Sequence, residues 1–152
     1  MKGETSHRRP NVQFFVALCA VCATATPLLA GEASFVKDYR DAKFRPLNSP
    51  MSAGAEVAVL WGDPNTGPSA VLFKMRKGAT PLHTHSSDYH LAVIEGVMKH
   101  WVKGESEAAA RELGPGSYWH IGGNVIHADS CLTDHCVAFI KWDGKRDGRI
   151  VE

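Results

Sequence analysis

The sequence predicts an all-β fold, a barrel or sandwich built as a single domain. Three observations carry this expectation. From residue 56 onward the chain is a series of short runs rich in Val, Ile, Leu and aromatic residues. These runs close on turn residues, most often glycine. Only Ser106–Arg111 (SEAAAR) has a helical look, and it is too short to form a stable helix alone.

The runs follow in order. Glu56–Trp61 (EVAVLW) ends on the cluster Gly-Asp-Pro-Asn-Thr-Gly-Pro, and Ser69–Met75 (SAVLFKM) ends on Arg-Lys-Gly. Tyr89–Ile94 (YHLAVI) ends on Glu-Gly, and Val97–Val102 (VMKHWV) on Lys-Gly. Ala108–Leu113 stops at Gly-Pro-Gly and Ser117–Ile121 at Gly-Gly-Asn. Val125–Cys131 and Cys136–Trp142 complete the set, before a polar tail. Ahead of them, Gly31–Ser52 shows no period and holds Pro46 and Pro50. Residues 31–54 therefore read as an extended arm, and 55–152 as the barrel domain.

The chain has 152 residues, 44% hydrophobic and 22% charged, the balance of an ordinary globular domain. Seventeen basic residues against 16 acidic ones leave a net charge of +1. That balance offers no field to attract nucleic acid or an anionic membrane surface.

Residues 1–30 differ from the rest. Met1–Asn11 is polar and basic, with Lys2, Arg8 and Arg9, and Val12–Leu29 (VQFFVALCAVCATATPLL) carries no charge. Ala30 then precedes the polar pair Gly31-Glu32. This is the pattern of a secretory signal peptide, with cleavage expected after Ala30 and a periplasmic or secreted product. Thr24, Thr26 and Pro27 shorten the apolar core, so no stable membrane anchor is expected after signal removal. Cys19 and Cys22 leave with the signal, while Cys131 and Cys136 stay, separated by Leu-Thr-Asp-His. In an oxidising compartment this pair is read as a disulfide across a short hairpin loop. A Cys-Cys metal or redox site is the alternative, although the spacing is not CxxC.

The histidines carry the chemistry. In His83-Thr84-His85 the two imidazoles point the same way if the segment is a strand. His127 lies further on, just after the turn Gly122-Gly123-Asn124. Tyr89 is either a metal-site residue or a packing aromatic, and His90 is read as outward and solvated. His100, His120 and His135 are read as surface or loop residues, and Trp61, Trp101, Trp119 and Trp142 as core and rim. Asp129, two residues past His127 on the same face, is read as a partner for an imidazole or as a satisfied polar group.

Two segments resemble the paired motifs of the cupin superfamily. The first reads Gly78-ATPL-His83-Thr-His85-SSD-Tyr89-HLAVIE-Gly96, and the second Gly116-SYWHI-Gly122-Gly123-Asn124-VI-His127. The resemblance spans Trp61 to Trp142. It is similar to small stand-alone cupins, whose relatives include the cupin domains of zinc-containing anti-sigma factors and three-histidine dioxygenases. The resemblance implies a jelly-roll β-barrel whose two motifs face each other and bind one metal, here through His83, His85 and His127. The family's metal-binding Glu falls on Tyr89 or His90, depending on the register counted, so no carboxylate stands there. Gly122 and Asn124 replace the family's Pro and Gly, keeping residues that tolerate positive φ.

Three imidazoles on a divalent ion leave coordination positions open, as in a catalytic site. Nitrogen donors suit Fe, Zn, Mn, Ni or Cu and argue against Ca or Mg. Two functions are carried forward. One is a metal-dependent dioxygenase of the Fe(II) type acting on a small organic substrate, with Tyr89 and Asp129 as candidate catalytic residues. The other is a non-catalytic periplasmic module that binds metal or a small ligand. A homodimer is an open expectation for either. The export reading predicts that native protein begins near Gly31, which an intact mass measurement checks; a soluble cytoplasmic species retaining Met1 would sink it.

Overall fold

A computed structural model describes residues 34–51 and 54–152. The expected signal peptide lies outside the described residues. Phe35–Glu152 form one compact unit. Among the described residues, no helix is long and apolar enough to cross a membrane.

The unit is all-β apart from one 3₁₀ turn, Tyr39–Asp41. Its strands are β1 (Arg45–Pro46), β2 (Glu56–Gly62), β3 (Ser69–Ala79), β4 (His83–Thr84), β5 (Tyr89–Glu95), β6 (Met98–Val102), β7 (Tyr118–Ile121), β8 (His127–Trp142) and β9 (Arg149–Ile150). Every pairing between them is antiparallel. The long β8 is the spine. β3 and then β4 pair with one of its edges, and β6 and β5 pair in series with the other.

Period-two alternation decides what faces the interior. On β5, Tyr89, Leu91 and Val93 are buried while His90, Ala92 and Ile94 are not. Across β3, β8 and β5 the inward residues stack in layers: Ser69, Trp142 and Tyr89; Val71, Ile140 and Leu91; Phe73, Ala138 and Val93. Small residues stand beside large ones in each row, which lets the layers fill space. Burying each large side chain is worth about 1.5–3 kcal/mol, so these rows supply much of the drive to fold.

Cys131 and Cys136 form a disulfide. The expected hairpin loop between them is absent. Both cysteines lie on β8, which keeps its direction past them: Gly78 pairs with Cys131 and Arg76 with His135 on one edge. The intervening residues bulge out of the ladder, and the disulfide closes the base of that bulge. β3 also runs beyond the expected stop at Met75, as far as Ala79, because its backbone stays paired with β8 across this irregularity. Ala108–Leu113 is not a strand. Ser106 starts a single turn, accepting from Ala109 and Ala110 through its carbonyl, and only Leu113 pairs, with Met98.

Gly96 explains how β5 passes into β6 beside the bulge. It has φ +81, and a Cβ there would lie 2.5 Å from Thr133 Oγ1, 2.6 Å from the His135 carbonyl and 2.8 Å from Cys136 Sγ. Neither the backbone conformation nor the space admits a side chain. Gly96→Ala is therefore expected to cost at least about 2 kcal/mol, read as a lower midpoint in urea unfolding at constant slope. An unchanged midpoint would mean that the bulge does not fix this corner.

Candidate metal centre

The pairing of β4 with β8 builds the centre. His83 and His127 are direct register partners, and His85 follows one residue after β4 ends. The three ligand nitrogens offered by His83, His85 and His127 lie within 4.8 Å of one another. Ring centroids are 4.4 Å apart for His83 and His127, 4.9 Å for His83 and His85, and 5.3 Å for His85 and His127. All three residues are buried, His127 completely.

Each ring is tethered through Nδ1 to a backbone carbonyl. His83 Nδ1 donates to Pro81 at 2.9 Å, His127 Nδ1 to Val125 at 3.1 Å, and His85 Nδ1 to Asp147. These bonds fix the tautomer and turn the Nε2 lone pairs toward the centre, the usual outer support of a metal-bound histidine. Burial disfavours the charged form of His85 and of His127. It pushes His85 down to about 4, helped by the charges of His83 and His127 and opposed by the Asp147 carbonyl. Burial also lowers His127, against the pull of Asp129. Neutral imidazole is the form that binds a cation.

Tyr89 closes one side. Its ring is buried, and its hydroxyl donates to His127 Nε2 at 3.0 Å. Burial, with the nearby Asp129 charge, drives the phenol well above its ordinary value, so the group is a donor. The structure thus places Tyr89 inside. His90 points out, with Nδ1 2.6 Å from the Tyr118 hydroxyl. Asp88 also faces out, where its Oδ1 accepts from Gly123 N–H at 2.7 Å. In the same turn Asn124 adopts φ 67, as its residue type allows.

Asp129 stands beside the triad, with Oδ2 3.9 Å from His127 Nε2. Burial alone would raise its carboxyl. The hydrogen bond from His100, with the charges of His100, His127 and His83, outweighs burial and holds it below the usual range. His100 was expected at the surface, but it is mostly buried: it faces Asp129 across the β6–β8 ladder and packs on Trp119 with ring centroids 5.3 Å apart. The signal was alternation with Met98 on β6, obscured because Trp101 on the other face is equally apolar. The C-terminal return was also missed. Asp147 gives its carbonyl to His85, and its carboxylate accepts from Ser86 N at 2.9 Å and Ser86 Oγ at 2.7 Å. Nothing in the polar tail foretold that contact. The space inside the barrel against His83, His85, Tyr89 and Asp129 is about 60 Å³, enough for a few waters or a very small ligand.

An antiparallel barrel with two facing histidine segments inside it has the cupin-type jelly-roll fold, and solved structures share that fold. The chain is similar to the polyketide cyclase RemF from Streptomyces resistomycificus (19% identity, TM-score 0.64, covering 79% of this chain and 87% of that one). It is similar to an acetylacetone dioxygenase from Acinetobacter johnsonii (15% identity, TM-score 0.60, covering 81% and 80%). It is also similar to a cupin-2 domain protein from Rhodospirillum rubrum (13% identity, TM-score 0.59, covering 79% and 82%). At these identities the likeness shows the jelly-roll fold alone. Residues 32–145 match the family described as "Domain of unknown function (DUF4437)", and the chain belongs to that family. No curated protein matches it by sequence.

The Asp147 clamp has a local consequence. Asp147→Ala is expected to speed amide hydrogen exchange at Ser86 and Val151 by about tenfold, with β5 and β8 unchanged. Equal protection in the variant would show that β9 holds the return without the carboxylate.

Proposed function

We propose that the protein binds one divalent transition metal ion through His83, His85 and His127 and acts on a small organic molecule, in the manner of a three-histidine dioxygenase. The observation that carries this reading is the shared tether: three buried imidazoles, each held at Nδ1 by a carbonyl, with one ring nitrogen of each lying within 4.8 Å of the others. A core histidine kept only for packing needs no such convergence. A bound ion would supply Lewis acidity, and an iron ion one-electron chemistry as well. The chain's own contribution is orientation. Tyr89 O–H faces the centre as a donor to an anionic ligand oxygen, while Trp142, edge-on to His85, helps keep water out. The disulfide and the apolar stretch Val12–Leu29 support an exported, periplasmic or secreted protein.

One observation favours a second reading, a non-catalytic module that binds metal or a small ligand. The barrel interior beside the triad is about 60 Å³, little room for a substrate.

Metal analysis of protein purified from its own compartment separates the two. Iron, with dioxygen uptake on adding a small β-dicarbonyl such as acetylacetone, favours the oxygenase; zinc without turnover favours the binding module. In either case His83→Ala, His85→Ala and His127→Ala are each expected to abolish stoichiometric metal binding, while His90→Ala leaves it intact. Tyr89→Phe should keep the fold and the metal but change the spectrum or turnover. A spectrum and turnover matching wild type would reduce Tyr89 to packing.

A further inference from the structure

The cupin resemblance leads to a carboxylate on β5, where this chain has Tyr89. Among the described residues, the carboxylate beside the triad comes from a different strand. Asp129, on β8, has both of its oxygens accounted for. Oδ1 accepts from His100 Nδ1 at 2.7 Å, and Oδ2 lies 3.9 Å from His127 Nε2. Its backbone is fixed as well: Asp129 N–H donates to Thr80 Oγ1 at 3.0 Å, and Thr80 N–H donates to the Asp129 carbonyl at 2.8 Å. The carboxylate therefore has little freedom to turn away from the centre.

We infer that Asp129 Oδ2 is the anionic oxygen that faces the metal ion and offsets its charge, and that His100 is the residue that positions it; this rests on the metal reading above. Three neutral imidazoles leave a divalent ion with its full charge, so a fixed carboxylate beside them lowers its energy strongly in a buried site. Two ligands on one ion with bonds of about 2.0–2.2 Å lie no more than about 4.4 Å apart, so 3.9 Å keeps Oδ2 within reach of an ion on His127. The carboxylate in turn has a reason to be buried there, since an isolated buried charge is costly. His100 is suited to positioning. Its ring lies against Trp119, and its other nitrogen, Nε2, is buried with no hydrogen-bond partner among the described residues. Among the described residues Asp129 is thus the hydrogen-bond partner that orients the imidazole, and the imidazole fixes which oxygen remains for the centre.

The test is a titration of the purified protein with Zn²⁺ and Co²⁺ against a competing chelator, with the Co²⁺ absorption spectrum recorded. Wild type, Asp129→Asn, His100→Ala and the double variant are compared, with far-UV circular dichroism to check the fold. Asp129→Asn is expected to weaken Kd by about 10–100-fold, and His100→Ala by about tenfold, both with an altered Co²⁺ spectrum. The double variant should bind no more weakly than Asp129→Asn alone, because His100 acts through Asp129. Wild-type affinity and spectrum in Asp129→Asn would overturn the inference while leaving the three-histidine site standing. Fully additive losses would overturn the positioning role of His100. A wild-type protein that binds neither ion would overturn the metal reading itself, and this inference with it. If Asp129→Asn does not fold, His100→Ala decides alone: an unchanged Kd and spectrum reject the proposal.

Discussion

The antiparallel pairing of β8 sets His127 opposite His83 on one edge and Val102 on the other, and two residues on it sets Asp129 opposite His100. The histidine triad and the carboxylate beside it follow from this register. A slip of one residue would turn His127 and Asp129 to the outer face together, because side chains alternate along a strand. The interior rows of β3, β8 and β5 hold the register by packing, and Trp142 carries that packing to the edge of His85.

The bulge in β8 reconciles two demands on one strand. Its C-terminal half packs the apolar core with Ala138, Ile140 and Trp142, while its N-terminal half carries His127 and Asp129. Extra residues between the halves leave the ladder, and the Cys131–Cys136 disulfide spans their ends. Gly96 gives the neighbouring chain room to pass. The covalent link thus constrains the strand that presents the site rather than joining distant parts of the chain.

Electrostatics give the centre its character. Burial keeps His85 and His127 neutral and Tyr89 protonated, while His100 and its neighbours keep Asp129 ionised. The result is a small cavity that brings nitrogen lone pairs, the Tyr89 hydroxyl and the Asp129 carboxylate together, with Thr80, Arg146 and Asp147 also on its wall. That set suits a cation together with a small anionic ligand. Solved structures of this fold include a cyclase and a dioxygenase, so the barrel by itself does not specify a function.

The all-β class, the order of most strands and the disulfide partners could be read from local pattern, while the meeting of His83-Thr84-His85 with His127 was implied only by the cupin resemblance. Apolar alternation, glycine punctuation and residue type are local signals that survive without knowledge of neighbours. The inward position of Tyr89 and the outward position of His90 needed the strand register, since counting from either end of the motif gave different answers. His100 and Asp147 needed more still. His100 matters because β6 lies against β8, and Asp147 because the C-terminal return docks on β4. The disulfide's setting, a bulge in a continuing strand and not a hairpin, likewise depends on long-range pairing with β3. Sequence alone determined which groups were available for metal chemistry; tertiary structure decided which of them meet, because contacts between distant segments are set by packing that no local pattern encodes.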